Sequence, residues 1–126
     1  MTSAEQLQAD VKSYAETIEE LVSGNCEWFY DQYCETDDDR EEYGDSYARL
    51  SKYFDDVLDV EIICNLHGNY RGAIIALGIG GPSIYLNTRI GCIEGYWWSA
   101  RAEWSVKRFA TDAVDEYFSE LWEMTH

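Results

Sequence analysis

Nine carboxylates crowd residues 27–45, and Arg40 is the only cation among them. The stretch ETDDDREEYGD, residues 35–45, holds seven of the nine. Carboxylates at that density suit three kinds of chemistry: a hard cation held by oxygen ligands, acid–base work by a desolvated pair, or recognition of a basic surface. Calcium is the first to test. An EF-hand loop needs oxygen ligands at its first, third and fifth positions, Gly at the sixth and Glu at the twelfth. Counted from Asp37, the sixth position is Glu42 and the twelfth is Ala48, so the pattern fails.

Other catalytic and ligand signatures fail as well. A general acid needs burial to raise its pKa, and a run this charged reads as solvated. There is no G-x-S-x-G, and GIGGPS (78–83) lacks the Lys-Ser/Thr ending of a phosphate loop. GIGG is too short for a dinucleotide fingerprint and runs into Pro82, so its glycines fit a turn or bulge between strands. Cys64 and His67 fall on opposite faces of an alternating strand, with no second pair to complete a zinc site, and His126 reads as solvated. No catalytic residue, metal or cofactor is expected, and the chain reads as a non-enzyme.

Recognition of a basic partner fits the charge. Against 25 acids stand 9 bases, a net charge of −16. Residues 1–66 hold 18 of the acids and four of the bases. Such a field repels nucleic acid and anionic membranes and attracts basic proteins. Glu27, Asp31 and Glu35 fall at helical spacing in one ridge; Asp37, Asp38, Asp39, Glu41, Glu42 and Asp45 follow in what reads as an acidic loop, and Asp55 and Asp56 close the next helix. Carboxylates about 5–6 Å apart along a helix approximate the phosphate rail of a duplex, which carries one charge per roughly 1.7 Å of axis. These eleven residues are the candidate contact surface. Tyr30 or Tyr43 beside them would supply a central aromatic anchor.

The elements that position this surface read as one α+β domain spanning 1–126. An acidic helical part covers 1–58, a four-stranded antiparallel β-meander 58–98, and a C-terminal helix packed on the sheet lies within 105–124. Ser3 and Gln6 suggest a capping box opening a helix over 4–22, which Gly24 closes. Asn25 can cap a second helix, CEWFYDQYCE, and a third runs from about 46 to 58. The period then becomes two. Leu58, Val60, Ile62, Cys64 and Leu66 share one strand face, and Asp59, Glu61, Asn65 and His67 the other. A turn at Gly68 and Asn69 leads to a second strand, whose Gly72, Ala76 and Gly78 would admit a helix closely. In GYWW (96–98 with Gly95), Tyr96 and Trp98 share a face opposite Trp97. The four cysteines read as buried, reduced thiols. No apolar run reaches a membrane span and no signal segment is seen, so a cytoplasmic protein is expected, as monomer or homodimer.

The segment ALGIGGPSIYLNTRIGCIEGYWWSARAEW, residues 76–104, resembles a hairpin of small acidic proteins of phages and mobile elements, with its Gly-Gly-Pro, Ile-Tyr-Leu and Gly-Tyr-Trp-Trp motifs. Some of these resemble the anti-CRISPR and anti-restriction proteins that block host defence, several acting as DNA mimics. The resemblance covers about a quarter of the chain and carries no catalytic residue. It implies an inhibitor in a bacterial host cell that occupies the DNA-binding surface of a CRISPR effector. An immunity or antitoxin protein that neutralises a basic nuclease uses the same physics, and a hydrolase built on the carboxylates is a third class.

Overall fold

The computed structural model describes residues 2–55, 57, 59–78 and 81–125. Asp56, Leu58, Ile79, Gly80 and His126 lie outside the described residues.

Helix α1 (Ser3–Ser23) buries Leu7, Val11, Ala15, Ile18 and Leu21 along one stripe. Each large aliphatic side chain removed from water there contributes about 1.5–3 kcal/mol. Thr2 caps it instead of Ser3: its hydroxyl accepts the Glu5 N–H at 3.1 Å. Gln6 turns away from the expected box and donates to Asp10 at 2.9 Å. Gly24, at φ +88°, supplies the left-handed residue that ends the helix. Next, α2 (Glu27–Tyr33) is a short helix whose N-cap is Cys26; no side chain caps it, so Asn25 does not play the expected role. The expected acidic loop is itself partly helical, as α3 (Asp37–Glu42). Then α4 (Ser46–Phe54) stops short of the expected end near residue 58, with Asp55 as its C-cap.

The sheet is an antiparallel meander in the order β1-β2-β3-β4-β5, with five strands where four are expected. They are β1 (Asp59–Cys64), β2 (Tyr70–Gly78), β3 (Ser83–Asn87), β4 (Cys92–Trp97) and β5 (Ala100–Ser105). ARAEWS lies past the expected end of the meander at residue 98, and its two alanines are a weak strand signal. It nevertheless pairs along β4, from Trp97 opposite Ala100 to Cys92 opposite Ser105. In β1 the expected alternation breaks at a register shift between Ile63 and Cys64. Beyond it Leu66 stands fully exposed, and Cys64 is exposed too. Cys26 alone of the four cysteines is buried, where desolvation pushes its thiol pKa up.

After β5 comes α5 (Arg108–Thr125), and it packs with α1 on the same face of the sheet. Contact is close at Gly95, where a Cβ would lie 2.7 Å from Val11 Cγ1 and 2.9 Å from Leu7 Cδ1. This glycine lets α1 rest on the β4 backbone. Of the residues expected to do so, only Gly78 meets a helix, through the Tyr14 hydroxyl. Gly72 lies under the Arg89 stem, and Ala76 faces the other side of the sheet. Asp115 fixes α5 by accepting from Tyr70 at 2.6 Å and Thr88 at 2.8 Å. Burial and that bond push the Tyr70 phenol pKa upward. At the α5 start, the Lys107 N–H donates to Glu19 of α1 at 2.8 Å. Among the described residues no helix is long and apolar enough to cross a membrane.

Candidate recognition surface

Phe29 is the centre from which the acidic surface is built. It is fully buried, with the rings of Trp28, Tyr30, Tyr33 and Tyr43 around it at centroid distances from 4.8 to 6.0 Å. Seven residues of helix cannot hold themselves in water, so this cluster is what keeps α2 formed. The indole N–H of Trp28 donates to Glu20 at 2.8 Å and ties α2 to α1. The Tyr30 hydroxyl donates to the Tyr43 carbonyl at 3.1 Å and ties α2 to the end of α3. Tyr30 and Tyr43, expected as exposed anchors, are half-buried members of this cluster.

Two arginines complete it. Arg40 reaches from α3 across to α2, with Nη2 2.9 Å from Glu27 and 4.0 Å from Asp31, and its guanidinium lies 5.0 Å over the Tyr30 ring. This cross-helix bridge relieves the like-charge ridge that no lysine interleaves within α2. The hydrogen bond from Arg40, reinforced by its charge, lowers the Glu27 pKa below its ordinary value. Arg49 is buried, 4% exposed, and among the described residues pairs with no carboxylate within 4.0 Å. It donates to the carbonyls of Leu21 at 2.7 Å, Tyr43 at 2.8 Å and Val22 at 3.4 Å. The Leu21 and Val22 carbonyls belong to the last turn of α1, where the helix dipole favours a cation. Arg49 therefore clasps the end of α1 to the α3–α4 junction.

The eleven predicted carboxylates separate into distinct roles on this frame. Asp39 is a cap: its carboxylate accepts from the N–H groups of Glu35 at 3.0 Å and Thr36 at 3.3 Å, while Thr36 accepts from the Asp39 N–H at 3.2 Å. This reciprocal box is why the stretch 37–42 forms a helix and not a loop, and the helix N-terminus tolerates Asp37, Asp38 and Asp39 together. Asp45 caps α4 by accepting the Ala48 N–H at 2.8 Å. Glu27 and Asp31 face Arg40. Glu35, Asp37, Asp38, Glu41 and Glu42 are exposed and make no ion pair within 4.0 Å among the described residues. Asp55 is exposed at the end of α4, and Asp56 lies outside the described residues. The surface open to a partner is thus these five carboxylates, flanked by Glu27, Asp31 and Asp55.

A second group of acids emerges on the sheet face away from α1 and α5. Cross-strand pairing sets Asp59, Ala76, Tyr85, Glu94 and Glu103 in one row. Glu61 and Tyr96 lie in the rows beside it. Period-two reading already placed Asp59 and Glu61 together; Glu94 joins them only through the pairing of β3 with β4, and Glu103 through that of β4 with β5. Among the described residues, no three His, Cys, Asp or Glu side chains converge to hold a metal ion. Comparison with protein-family descriptions, curated proteins and solved structures finds no match to this chain.

Proposed function

We propose that this chain is a non-enzymatic inhibitor that binds the basic nucleic-acid surface of a bacterial defence complex, a CRISPR effector in first place, and excludes DNA from it. It would act in the cytoplasm of the host cell. The observation that carries the reading is the mounting of the charge: exposed carboxylates on and between two short helices, α2 and α3, held by the buried Phe29 cluster and two arginine clasps. Prearranged charge costs less ordering on binding than a flexible acidic tail. It also steers encounter with a basic groove at rates that fall as salt screens the field.

The test is a gel-shift competition over a salt series, with DNA-binding defence complexes and their cognate duplexes. Loss of DNA binding by one complex, relieved as salt rises, supports the reading. Replacing Glu35, Asp37, Asp38, Glu41 and Glu42 by their amides leaves the caps Asp39 and Asp45 intact and should abolish competition. Unchanged competition by that variant sinks the assignment of the surface. Capture of a small basic nuclease in place of a defence complex would select an immunity protein instead.

A further inference from the structure

We propose that the open face of the sheet is a second docking surface, and that it takes an arginine-bearing segment of a basic partner. It shares with the proposed function only the premise of a basic partner. Its argument begins from what this face lacks. Both long helices pack on the opposite side, so Tyr85 and Tyr96 stand on a face without a covering layer, with ring centroids 6.3 Å apart. Between them and the acids lies a depression of about 390 Å³, floored by Ile74 and Ala76 and bounded by Asp59, Glu61 and Glu94.

The charges on this face are arranged against stability. Glu94 and Glu103 sit directly opposite each other across β4 and β5, a placement that destabilises a sheet unless a cation lies between. Glu94 is also the less accessible, with its side chain 16% exposed, so its charge is poorly served by water. The chain itself shows what chemistry relieves it. Arg101, at the edge, places Nη2 3.4 Å from Glu94 and its guanidinium 5.8 Å over the Tyr96 ring. Tyr96 in turn donates to Glu94 at 3.1 Å. One guanidinium is thus already held by a carboxylate and a tyrosine face, while Asp59, Glu61 and Glu103 have no cation within 4.0 Å among the described residues.

Charge complementarity selects a basic segment, and the tyrosine faces select arginine within it. A planar guanidinium bonds a carboxylate while stacking on a ring; an ammonium is a compact, strongly hydrated point charge. The helical surface differs here, because Tyr30 and Tyr33 beside its carboxylates already carry Arg40 and Lys52, whereas on the sheet only Tyr96 carries a cation, Arg101, and Tyr85 has none over it among the described residues. The sheet face should therefore prefer arginine over lysine, and the helical surface should not.

The experiment is an amide NMR titration of the full chain with nona-arginine and, separately, nona-lysine. Shifts on β1, β3 and β4 with nona-arginine are expected, with affinity about three- to fivefold above nona-lysine, the equivalent of one exposed cation–π contact. Replacing Tyr85 and Tyr96 by Leu should remove that preference while keeping the fold. Neutralising Asp59, Glu61 and Glu103, which leaves the Glu94–Arg101–Tyr96 cluster intact, should weaken nona-arginine binding about tenfold if each exposed pair contributes in the usual range. Arg101→Gln frees Glu94 and should tighten binding more than Arg71→Gln, which makes the same change of charge. Shifts confined to α2–α3, or equal affinity for the two peptides, would overturn the inference and leave the proposed function standing. If the sheet-face shifts appear while DNA competition fails, the reverse conclusion holds.

Discussion

The helical surface and the open sheet face are both acidic, but they hold their charge by different means. On α2 and α3 the carboxylates are served locally. Asp39 and Asp45 cap helices, Glu27 and Asp31 face Arg40, and a hydrophobic cluster beneath keeps the short helices formed. On the sheet the acids sit on a backbone that needs none of them, because cross-strand hydrogen bonds and the core on the other face already hold the strands. Charge on the helices is partly structural, whereas charge on the sheet is borne by a scaffold indifferent to it. Substitutions should therefore affect stability on the first surface and leave it nearly unchanged, or raise it, on the second.

The largest expected effect tests that dependence without touching an acid. Arg49→Met removes a buried guanidinium from three carbonyls and should cost about 3 kcal/mol in denaturant unfolding. Hydrogen-exchange protection should fall first in α2 and α3, with β2–β4 retained. Uniform loss across sheet and helices would mean that the two regions are one unit. Next comes the cap of α3: Thr36→Ala should cost about 1 kcal/mol, whereas Glu103→Gln on the sheet should cost nothing or stabilise slightly. Equal losses at both sites would erase the distinction.

The hairpin between β4 and β5 carries the opposite prediction. Trp98 is 93% exposed and has φ +56°, a left-handed conformation that suits glycine and strains a bulky residue. Trp98→Gly should raise stability by about 1 kcal/mol, read as an increase in the denaturation midpoint. A fall would show that the indole makes contacts worth more than the strain.

The smallest effect is a titration. Arg40 holds the Glu27 carboxyl below its ordinary value of 4.5. Because the folded value is the lower one, the pair's contribution is fully present above the ordinary value and is lost as pH falls through the depressed one. The Glu27 carboxyl midpoint, followed by NMR, should return to about 4.5 in Arg40→Gln. An unchanged midpoint would mean the bridge between α2 and α3 is not formed.

The composition and periods of the chain already specified much of this. The stripe of α1, the switch to period two after residue 58, the meander and the apolar face of the last helix all follow from spacing, because each is a local pattern meeting one face of a core. The concentration of acids in the first half needed only counting. Other features were hidden for physical reasons. ETDDDREEYGD reads as a loop by charge, yet Thr36 and Asp39 close a capping box whose geometry depends on the chain entering at the right angle. ARAEWS falls outside the expected meander, yet an edge strand needs only one neighbour, and β4 provides it.

Sequence alone determined how many charges there are and that most of the acids lie in the first half of the chain. The tertiary structure decided their surroundings: that Arg49 is buried on carbonyls, that Arg40 spans two helices, that Tyr30 is half-buried in the Phe29 cluster while Tyr85 and Tyr96 lie on an open sheet face, and that Glu94 faces Glu103. Those are contacts between residues distant along the chain. They are fixed by the docking of α2, α3 and α4 around Phe29 and the end of α1, and by the register of β4 with β5, which no local period encodes.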